Sequence, residues 1–325
     1  MRFSPKEVLG PLYPYYIRLR TSDTSRDLAA LAGLPAYLSA RRRSPGTLSV
    51  AINGRRGLGA TISEALLFHG MAERDGLCPH IISANPLYAA SPTQDVLARY
   101  FQREPSRDHG VPIRGNAYLW AARKVAPAHL PLADAQALFA RHFKPAPIIR
   151  EAIDSVKDGR DAFDLSVHVR GTDKVLESGR IDINSVFAAV DAQAAISSTP
   201  LDVFLATDDA AFEAAFRKRY PAFRITTYNL EVLAPGVPRH FSTMKAEAKA
   251  LEAVVNIFLI ALAPVCIRTS SYLSAISKIS NPALRTHTVN TTLGGSALFP
   301  EREVLAAEHA EDTAERYAQG PSQLA

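Results

Sequence analysis

Cysteine, tryptophan and long apolar runs are scarce in this 325-residue chain, and each scarcity narrows the possible classes of protein. The two cysteines stand far apart in apolar surroundings, which favours two buried free thiols and rules out a thiolate metal site. The longest apolar run, from Ile257 to Ile267, is interrupted by Pro264 and is too short to cross a bilayer. The start of the chain lacks the uninterrupted apolar stretch of a signal peptide, so no signal peptide is predicted. We expect a cytoplasmic protein, and peripheral association with a membrane surface stays open.

A strong excess of one charge is also lacking, since 37 Lys+Arg stand against 32 Asp+Glu and give a net charge of +5. The basic clusters are short and are not interleaved with stacking aromatic residues, so no nucleic-acid partner is expected and a small anionic ligand fits better. With 47% apolar and 21% charged residues, the composition excludes disordered, collagen-like and coiled-coil chains. The length allows two domains with well-filled cores.

Predicted strands alternate with predicted helices along both halves of the chain. A strand at 48–52 leads through a glycine-rich loop into a helix, and a second strand is predicted at 78–84. The two prolines of Lys144-Pro145-Ala146-Pro147 end a helix and stiffen the connection to the second half. In that half, strands are predicted at 163–169, 202–207, 223–228 and 265–269. This alternation predicts an α/β protein with doubly wound parallel sheets, whose ligands bind beyond the carboxyl ends of the strands.

Three strand ends in the second half are unusually polar. In SVHVRGTDK the alternation of the strand places His168 and Arg170 on one side, and Lys174 adds a second cation, which suits a departing diphosphate. In FLATDD, Asp208 and Asp209 follow a buried strand. In VCIRTSSYLSAIS a helix opens with hydroxyl groups beside its free N–H groups, an arrangement that binds anions; these hydroxyls belong to Thr269, Ser270 and Ser271.

Each of these residues also has a structural explanation. His168 taken alone is more simply a satisfied core histidine. Asp208, Asp209 or Ser270 could cap the helix that follows, and a cap contributes roughly 1 kcal/mol, so capping and ligand contact carry equal weight. Arg170 could form a structural ion pair with Asp173. The order and spacing of the three strand ends in one βαβ series favour a shared site.

The set HVRGTDK, VFLATDD and IRTSSYLSAIS closely resembles the three motifs of the α-1,6-fucosyltransferase family. The resemblance covers residues 163–280, and it is weaker over 46–70, where INGRRGLGATISEALL is similar to the family's glycine loop. It implies a GT-B fold, in which two Rossmann-like domains face a cleft. The implied division is an acceptor-side domain at 1–147, a nucleotide-sugar domain at 148–300 and a C-terminal helix or tail at 301–325.

The resemblance also implies a reaction. The family transfers L-fucose from GDP-fucose to a glycan or glycolipid with inversion at the anomeric carbon, and it needs neither a metal ion nor another cofactor. No Asp-x-Asp triplet occurs in this chain, so metal-bridged binding of the diphosphate is not suggested. The implied partners are a nucleotide-sugar donor and a glycan acceptor, without an integral membrane segment.

Roles for individual residues follow from the same resemblance. Arg170 matches the arginine that grips the donor's β-phosphate, His168 would lie near the nucleotide, and the phosphate-side serines correspond to Ser270 and Ser271, preceded by Thr269. The paired acids of the second motif correspond to Asp208 and Asp209. In the glycine loop, Gly57 and Gly59 would let backbone amides approach the diphosphate, although a glycine pair often marks only a tight turn.

The chain departs from the family's pattern at three positions. Gly171 stands where animal members have a second arginine, so one positive charge is lost. Its place could be taken by Arg268, Arg55 or Arg56. Asn256 stands where related sequences carry the aspartate that reads guanine, and its amide oxygen can accept a hydrogen bond but carries no charge. Glu177 lies one position early relative to the family's candidate base.

The base and the acceptor remain open at this stage. Either Glu177 or Asp173 could take the proton of the acceptor hydroxyl, while Asp173 could equally only orient Arg170 or Lys174. Loops within 85–145 would set the acceptor. Two alternatives stand beside fucosyl transfer: a transferase that uses another nucleotide sugar, and a non-catalytic nucleotide- or sugar-binding protein of the same fold. A P-loop enzyme is set aside because GRRGLGATIS lacks the Gly-Lys-Ser/Thr ending.

Overall fold

The structure, a computed structural model, describes most of the chain from residue 46 onward. The described residues are 46–52, 54–91, 94–102, 112–170, 182–231, 242–290 and 298–318, with side chains up to residue 313 in the last segment, together with residues 33, 35, 37 and 38.

Three short parallel strands form the first sheet, in the order β2-β1-β3. They are β1 (Thr47–Ile52), β2 (Cys78–Ser83) and β3 (Ile113–Gly115). The helices of this half are α1 (Leu58–Arg74), α2 (Val96–Tyr100), α3 (Ala117–Ala122) and α4 (Leu132–His142). Nearly every residue of α1 is buried, because α1 packs against its own sheet and against helices of the second half.

Five parallel strands form the second sheet, in the order β6-β5-β4-β7-β8. They are β4 (Leu165–Val169), β5 (Asp202–Thr207), β6 (Arg224–Thr226), β7 (Val265–Arg268) and β8 (Arg285–Thr288). The helices of this half are α5 (Pro147–Lys157), α6 (Ile183–Ala195), α7 (Ala210–Arg219), α8 (Ala246–Ile260), α9 (Tyr272–Ser280) and α10 (Glu301–Ala318). All five residues of β4 are buried, as expected for the central strand of a parallel sheet that is covered on both faces.

The strand order of the second sheet reverses beside β4. The chain first runs outward through β5 and β6, and then returns to the other side of β4 to form β7 and β8. A crevice opens at such a reversal, and ligands of doubly wound folds bind there, at the carboxyl ends of the strands. The predicted α/β architecture with parallel sheets is therefore confirmed. The candidate ligand site lies beyond the carboxyl ends of β4 and β7.

One apolar core runs from the first sheet to the inner side of the second. It contains Val50 and Phe68 from the first half as well as Phe204 and Cys266 from the second. A separate cluster, which includes Val167 and side chains of α6 and α7, fills the outer side of the second sheet. The predicted boundary at 147/148 falls at the start of α5, and the division into domains stays a prediction.

A buried ion pair attaches the last helix to the second sheet. The Arg268 guanidinium, which is fully buried in β7, contacts the Glu301 carboxylate at the start of α10. Its Nε also donates to Thr288 Oγ1 at 3.0 Å. The Arg268 guanidinium is therefore fully buried and already paired with a carboxylate, which argues against the expectation that it replaces a lost phosphate cation.

Two further predictions concern the cysteines and membrane-spanning helices. Both cysteines are free, as predicted, but only Cys266 is buried, because Cys78 opens the edge strand β2 and is exposed. Within the described ranges, no helix combines the length and the apolar character needed to cross a membrane.

Candidate functional site

The first and third motifs meet at the carboxyl ends of β4 and β7. His168 lies beside Arg268 in the register of these two strands, and the Thr269 amide donates to the His168 carbonyl at 2.9 Å. One residue beyond β4, the Arg170 amide donates to Thr269 Oγ1 at 2.9 Å. The structure thus brings His168 and Arg170 next to Thr269, which lies about one hundred positions further along the sequence.

The serines of the third motif have distinct local roles. Ser271 is the N-cap of α9, and its hydroxyl accepts from the Leu273 amide at 3.3 Å. Ser270 is 1% exposed, and its hydroxyl has no hydrogen-bond partner among the residues that the structure describes. The Ser270 amide donates to Asn290 Oδ1 at 2.7 Å, a contact that sequence reasoning missed. The cap is therefore Ser271, and the Ser270 hydroxyl is the buried polar group left for a ligand.

The glycine loop brings a second helix start to the same place. Helix α1 begins after Gly57 without a side-chain cap. At Gly59, in its first turn, a Cβ atom would lie 2.8 Å from both the Leu273 nitrogen and the Tyr272 carbonyl carbon in the first turn of α9. The amino ends of α1 and α9 are thus in backbone contact. Since each helix start carries about half a positive charge, their junction attracts anions.

The two glycines of the loop have different structural reasons. Gly59 has no room for a side chain because α9 occupies that space. At Gly57 the φ angle is −56°, and a Cβ atom would meet nothing within 4 Å. Only Gly57 faces open space that a ligand could fill, and contact of either glycine with a diphosphate stays a prediction.

The second motif lies on β5, next to β4. Asp209 is the N-cap of α7, since its Oδ1 accepts from the amides of Ala211 (2.9 Å) and Phe212 (3.2 Å). Capping, one of the two roles considered for this residue, is thus observed. Asp208 is half-buried at the same strand end, and its contact with a ligand stays a prediction.

Asn256 has a fixed orientation in α8. It is 8% exposed, and its Nδ2 donates to the carbonyl oxygens of Tyr228 (3.2 Å) and Glu252 (2.9 Å). A flipped amide would set its oxygen against both carbonyls, so these two bonds define which atom is which. Within the described ranges, Asn256 Oδ1 has no partner. The residue therefore presents a buried acceptor for an N–H group.

Glu252 and Tyr228 complete the surroundings of Asn256. The Leu230 amide donates to Glu252 Oε2 at 2.8 Å, which holds the chain beyond β6 against α8. Burial, and then the neighbouring Glu252 carboxylate, raise the pKa of Tyr228, so this phenol stays neutral at physiological pH.

Of the two arginines in the glycine loop, Arg56 stacks on an aromatic ring. Its guanidinium carbon lies 5.0 Å from the centre of the Tyr118 ring, a cation–π distance. The Tyr118 hydroxyl donates to the Phe299 carbonyl at 3.2 Å, and burial raises the pKa of Tyr118 well above its ordinary value. Trp120, two residues further along α3, is fully buried against Phe68 and is a core residue.

Several predicted residues lie outside the described part of the chain. They are Gly171, Asp173, Lys174 and Glu177, so the identity of the catalytic base stays a prediction. Among the residues that are described, no group of three or more His, Cys, Asp or Glu side chains could hold a metal ion. Metal independence likewise stays a prediction.

Comparison with known proteins gave matches only among solved structures; no family model and no curated protein matches. NodZ α-1,6-fucosyltransferase soaked with GDP-fucose is 18% identical, with a TM-score of 0.47 over 72% of this chain and 93% of that one. Fucosyltransferase NodZ from Bradyrhizobium is 16% identical, with a TM-score of 0.48 over 72% and 94%. A variant of Arabidopsis thaliana FUT1 in complex with GDP is 9% identical, with a TM-score of 0.42 over 78% and 73%.

Proposed function

We propose that the chain is a GT-B glycosyltransferase that moves L-fucose from GDP-fucose to a glycan or glycolipid. The observation that carries this proposal is the meeting of residues 168–170 with residues 269–272 at the reversal point of the second sheet, against the amino end of α1. Residues 148–300 would bind the nucleotide sugar, and residues 1–147 would face them from the acceptor side.

The departing GDP needs positive charge at its β-phosphate. Arg170 supplies a full charge at the end of β4, and the amino ends of α1 and α9 add partial charges from two directions. The buried Ser270 hydroxyl can donate to a phosphate oxygen. Such fixed donors stabilise the leaving group without having to reorganise during the reaction.

A second cation from the glycine loop would replace the one missing at Gly171. Arg268 is engaged with Glu301, so we assign this role to Arg56. Its stacking on Tyr118 supports the assignment, because Tyr272, in the first turn of α9, contributes to the raised pKa of Tyr118 and therefore lies close to it. The first sheet would then contribute to gripping the donor.

Asn256 would contact the base of the nucleotide. Its free Oδ1 can accept from N1–H or the amino group of guanine, which supports GDP. The amino group of adenine and the N3–H of uracil are donors as well, so the same observation supports a second candidate function, a transferase that uses another nucleotide sugar.

The chemical step would be a direct displacement with inversion and without a metal ion. The acceptor oxygen bonds to the anomeric carbon as the bond from that carbon to the β-phosphate oxygen breaks. The proton of the acceptor hydroxyl passes to a carboxylate, for which Asp173 and Glu177 are the candidates. Lys174 would add charge on the leaving-group side.

The test is consumption of GDP-fucose by the wild type and by two single variants. Arg170→Ala should lower turnover by about 10²–10³, since it removes a charge aimed at the leaving group. Arg224→Ala, which removes an exposed arginine paired with Asp158, is the matched control and should retain wild-type turnover. Equal turnover in both variants would contradict the proposal, and consumption of UDP- or ADP-sugars alone would favour the second candidate.

A further inference from the structure

Asn290 extends the row of polar residues at the strand ends by one strand. The second sheet places β4, β7 and β8 side by side, and Arg170, Ser270 and Asn290 come shortly after these strands in turn. The Arg170 amide donates to Thr269 Oγ1, and the Ser270 amide donates to Asn290 Oδ1 at 2.7 Å. Hydrogen bonds therefore link the carboxyl ends of all three strands.

The backbone fixes the position of Asn290. Strand β8 pairs with β7 up to Thr288, and the Val289 amide then donates to the Arg268 carbonyl at 2.9 Å. Asn290 is the next residue and is half-buried. Its side chain is therefore held next to the start of α9 by the pairing of the strands as well as by its own hydrogen bond.

The bond from the Ser270 amide also defines which end of the Asn290 side chain is which. A flipped side chain would set its NH₂ group against the Ser270 N–H, and two donors cannot bond to each other. Nδ2 is thus the far end of the side chain. It is buried and has no hydrogen-bond partner among the residues that the structure describes. Asn290 therefore keeps an unused N–H donor.

A second unused group lies at the same place. The Ser270 hydroxyl is also buried, and it has no partner within the described ranges. Because Oδ1 and Nδ2 of Asn290 share one carbon atom, the contact of Oδ1 with the Ser270 amide brings both unused groups to the start of α9. Buried polar groups are costly without partners, and both of these can donate. A ligand with several acceptor oxygens would satisfy both.

The surroundings favour a negative ligand. The amino ends of α1 and α9 meet beside Ser270, and Arg170 follows the neighbouring strand. Glu308 reaches the end of β8 from α10, where its carboxylate accepts from the Thr288 amide at 3.2 Å and hydroxyl at 2.8 Å. The same carboxylate lies 3.9 Å from Arg268 Nε, so its charge is offset locally.

We propose that Asn290 is a further residue of the diphosphate site, whose Nδ2 donates to a phosphate oxygen while its Oδ1 holds Ser270 beside the same phosphate. The inference rests on the proposed function, since it concerns the leaving group of that transfer. Asn290 is both a contact of the ligand and a positioning residue for the Ser270 hydroxyl. A neutral amide provides a directed hydrogen bond and leaves no buried charge behind when the nucleotide departs.

Asn290→Asp separates the two contacts. The new carboxylate can still accept from the Ser270 amide, and the two helix starts favour a negative group, so the Tm without ligand should not fall by more than about 2 °C. The carboxylate offers no N–H and repels the diphosphate. The affinity for GDP, measured by calorimetric titration, should therefore fall by about tenfold to hundredfold. A larger fall in Tm, or an unchanged affinity for GDP, would overturn the inference.

Gln193→Glu is the matched control for the change of an amide to an acid. Gln193 lies in the last turn of α6, which runs back to the amino edge of the sheet because β4 and β5 are parallel. Its substitution should change the affinity for GDP by less than about twofold, since the added charge is far from the strand ends and is screened by salt. A loss as large as that in Asn290→Asp would show that any added negative charge is enough, and the assigned contact would be refuted.

Guanosine shows whether the effect belongs to the phosphates. Asn290→Asp should bind guanosine as the wild type does, because guanosine carries no phosphate. Equal losses of affinity for guanosine and GDP would place the effect on the base site or on the fold, and would contradict the inference.

Ser270→Ala tests the neighbouring hydroxyl. Removing a buried hydroxyl that has no partner within the described ranges should leave the Tm without ligand unchanged or higher, whereas the affinity for GDP should fall by about tenfold. A lower Tm with unchanged affinity would make the hydroxyl a purely structural group and would contradict the paired contact.

Failure of the proposed function would look different. A protein that binds GDP but consumes no GDP-fucose still tests the inference through the GDP affinities of the variants. If the wild type binds no GDP, or guanosine too weakly to measure, inorganic pyrophosphate is titrated instead. Pyrophosphate binding that Asn290→Asp abolishes would support the anion contact even where the transferase proposal fails. Absence of pyrophosphate binding, or binding that is insensitive to both Asn290→Asp and Ser270→Ala, would overturn the inference.

Discussion

Replacing Gly59 with alanine should push apart the amino ends of α1 and α9. The new methyl carbon would lie 2.8 Å from the Leu273 nitrogen and the Tyr272 carbonyl carbon, and both are backbone atoms that cannot rotate away. Non-bonded carbon atoms sit about 3.5–4.0 Å apart, so the two helices must separate by roughly 1 Å. No such movement is needed at Gly57, where the same methyl would meet open space.

The expected cost follows from two opposing terms. Overpacking costs about 1–3 kcal/mol, and the upper part of that range applies because backbone must move. Alanine is favoured over glycine within a helix by about 1 kcal/mol. The net loss of unfolding free energy is therefore about 1–2 kcal/mol, which corresponds to a fall in Tm of about 1.5–3 °C for a chain of this size.

Thermal unfolding of Gly59→Ala and Gly57→Ala, side by side with the wild type, is the measurement. In Gly57→Ala a weaker N-cap lowers the stability and a less flexible unfolded chain raises it by a similar amount. The Tm of this variant should therefore stay within about 1 °C of the wild-type value. Equal Tm values for Gly59→Ala and the wild type would show that the two helix starts are not in contact, and the account of the anion site would fail.

Three further predictions concern buried groups. Asn256→Asp should destabilise the fold by about 1–3 kcal/mol in urea unfolding, because a carboxylate would face the two carbonyls that now accept from Nδ2; unchanged stability would contradict the assigned amide orientation. Arg268→Met should lower the free energy of unfolding by about 3–5 kcal/mol, since it leaves the Glu301 carboxylate buried without its partner. The double variant Arg268→Met with Glu301→Leu should recover much of that loss. An Arg268→Met variant as stable as the wild type would refute the buried pair. Burial raises the pKa of Cys266 to about 11, so a thiol reagent at pH 8 should modify only the exposed Cys78 in the native protein and both thiols in denaturant; two reactive native thiols would contradict the packing of β7.

Polar residues at the ends of the predicted strands indicated that the first and third motifs lie close together. Parallel strands end at the same edge of a sheet, so polar residues after β4 and after β7 were expected together, and the bond from the Arg170 amide to Thr269 confirms it. The short strands β3 (IRG) and β8 (RTHT) were missed because they carry at most one apolar residue and so show no apolar strand pattern.

What escaped prediction depends on contacts between distant segments. Nothing in the local sequence shows that Arg268 reaches Glu301 or that Asn290 accepts from Ser270, since those partners lie 33 and 20 positions away. The close packing at Gly59 also escaped prediction. The glycine pattern predicted that backbone amides approach a diphosphate, which stays a prediction, and the structure adds that the first turn of α9 leaves no room for a side chain at this position.

The central claim is that a nucleoside diphosphate binds where the amino ends of α1 and α9 meet. The most direct test is thermal unfolding of the wild type and Arg170→Ala with GDP, UDP or ADP, each in EDTA and again with magnesium. At about 100 times its dissociation constant a ligand should stabilise the protein by about 2.7 kcal/mol, a shift of several degrees. The account predicts a shift of the wild type by GDP in EDTA and a much smaller shift of Arg170→Ala. No shift of the wild type with any of the three nucleotides would contradict it.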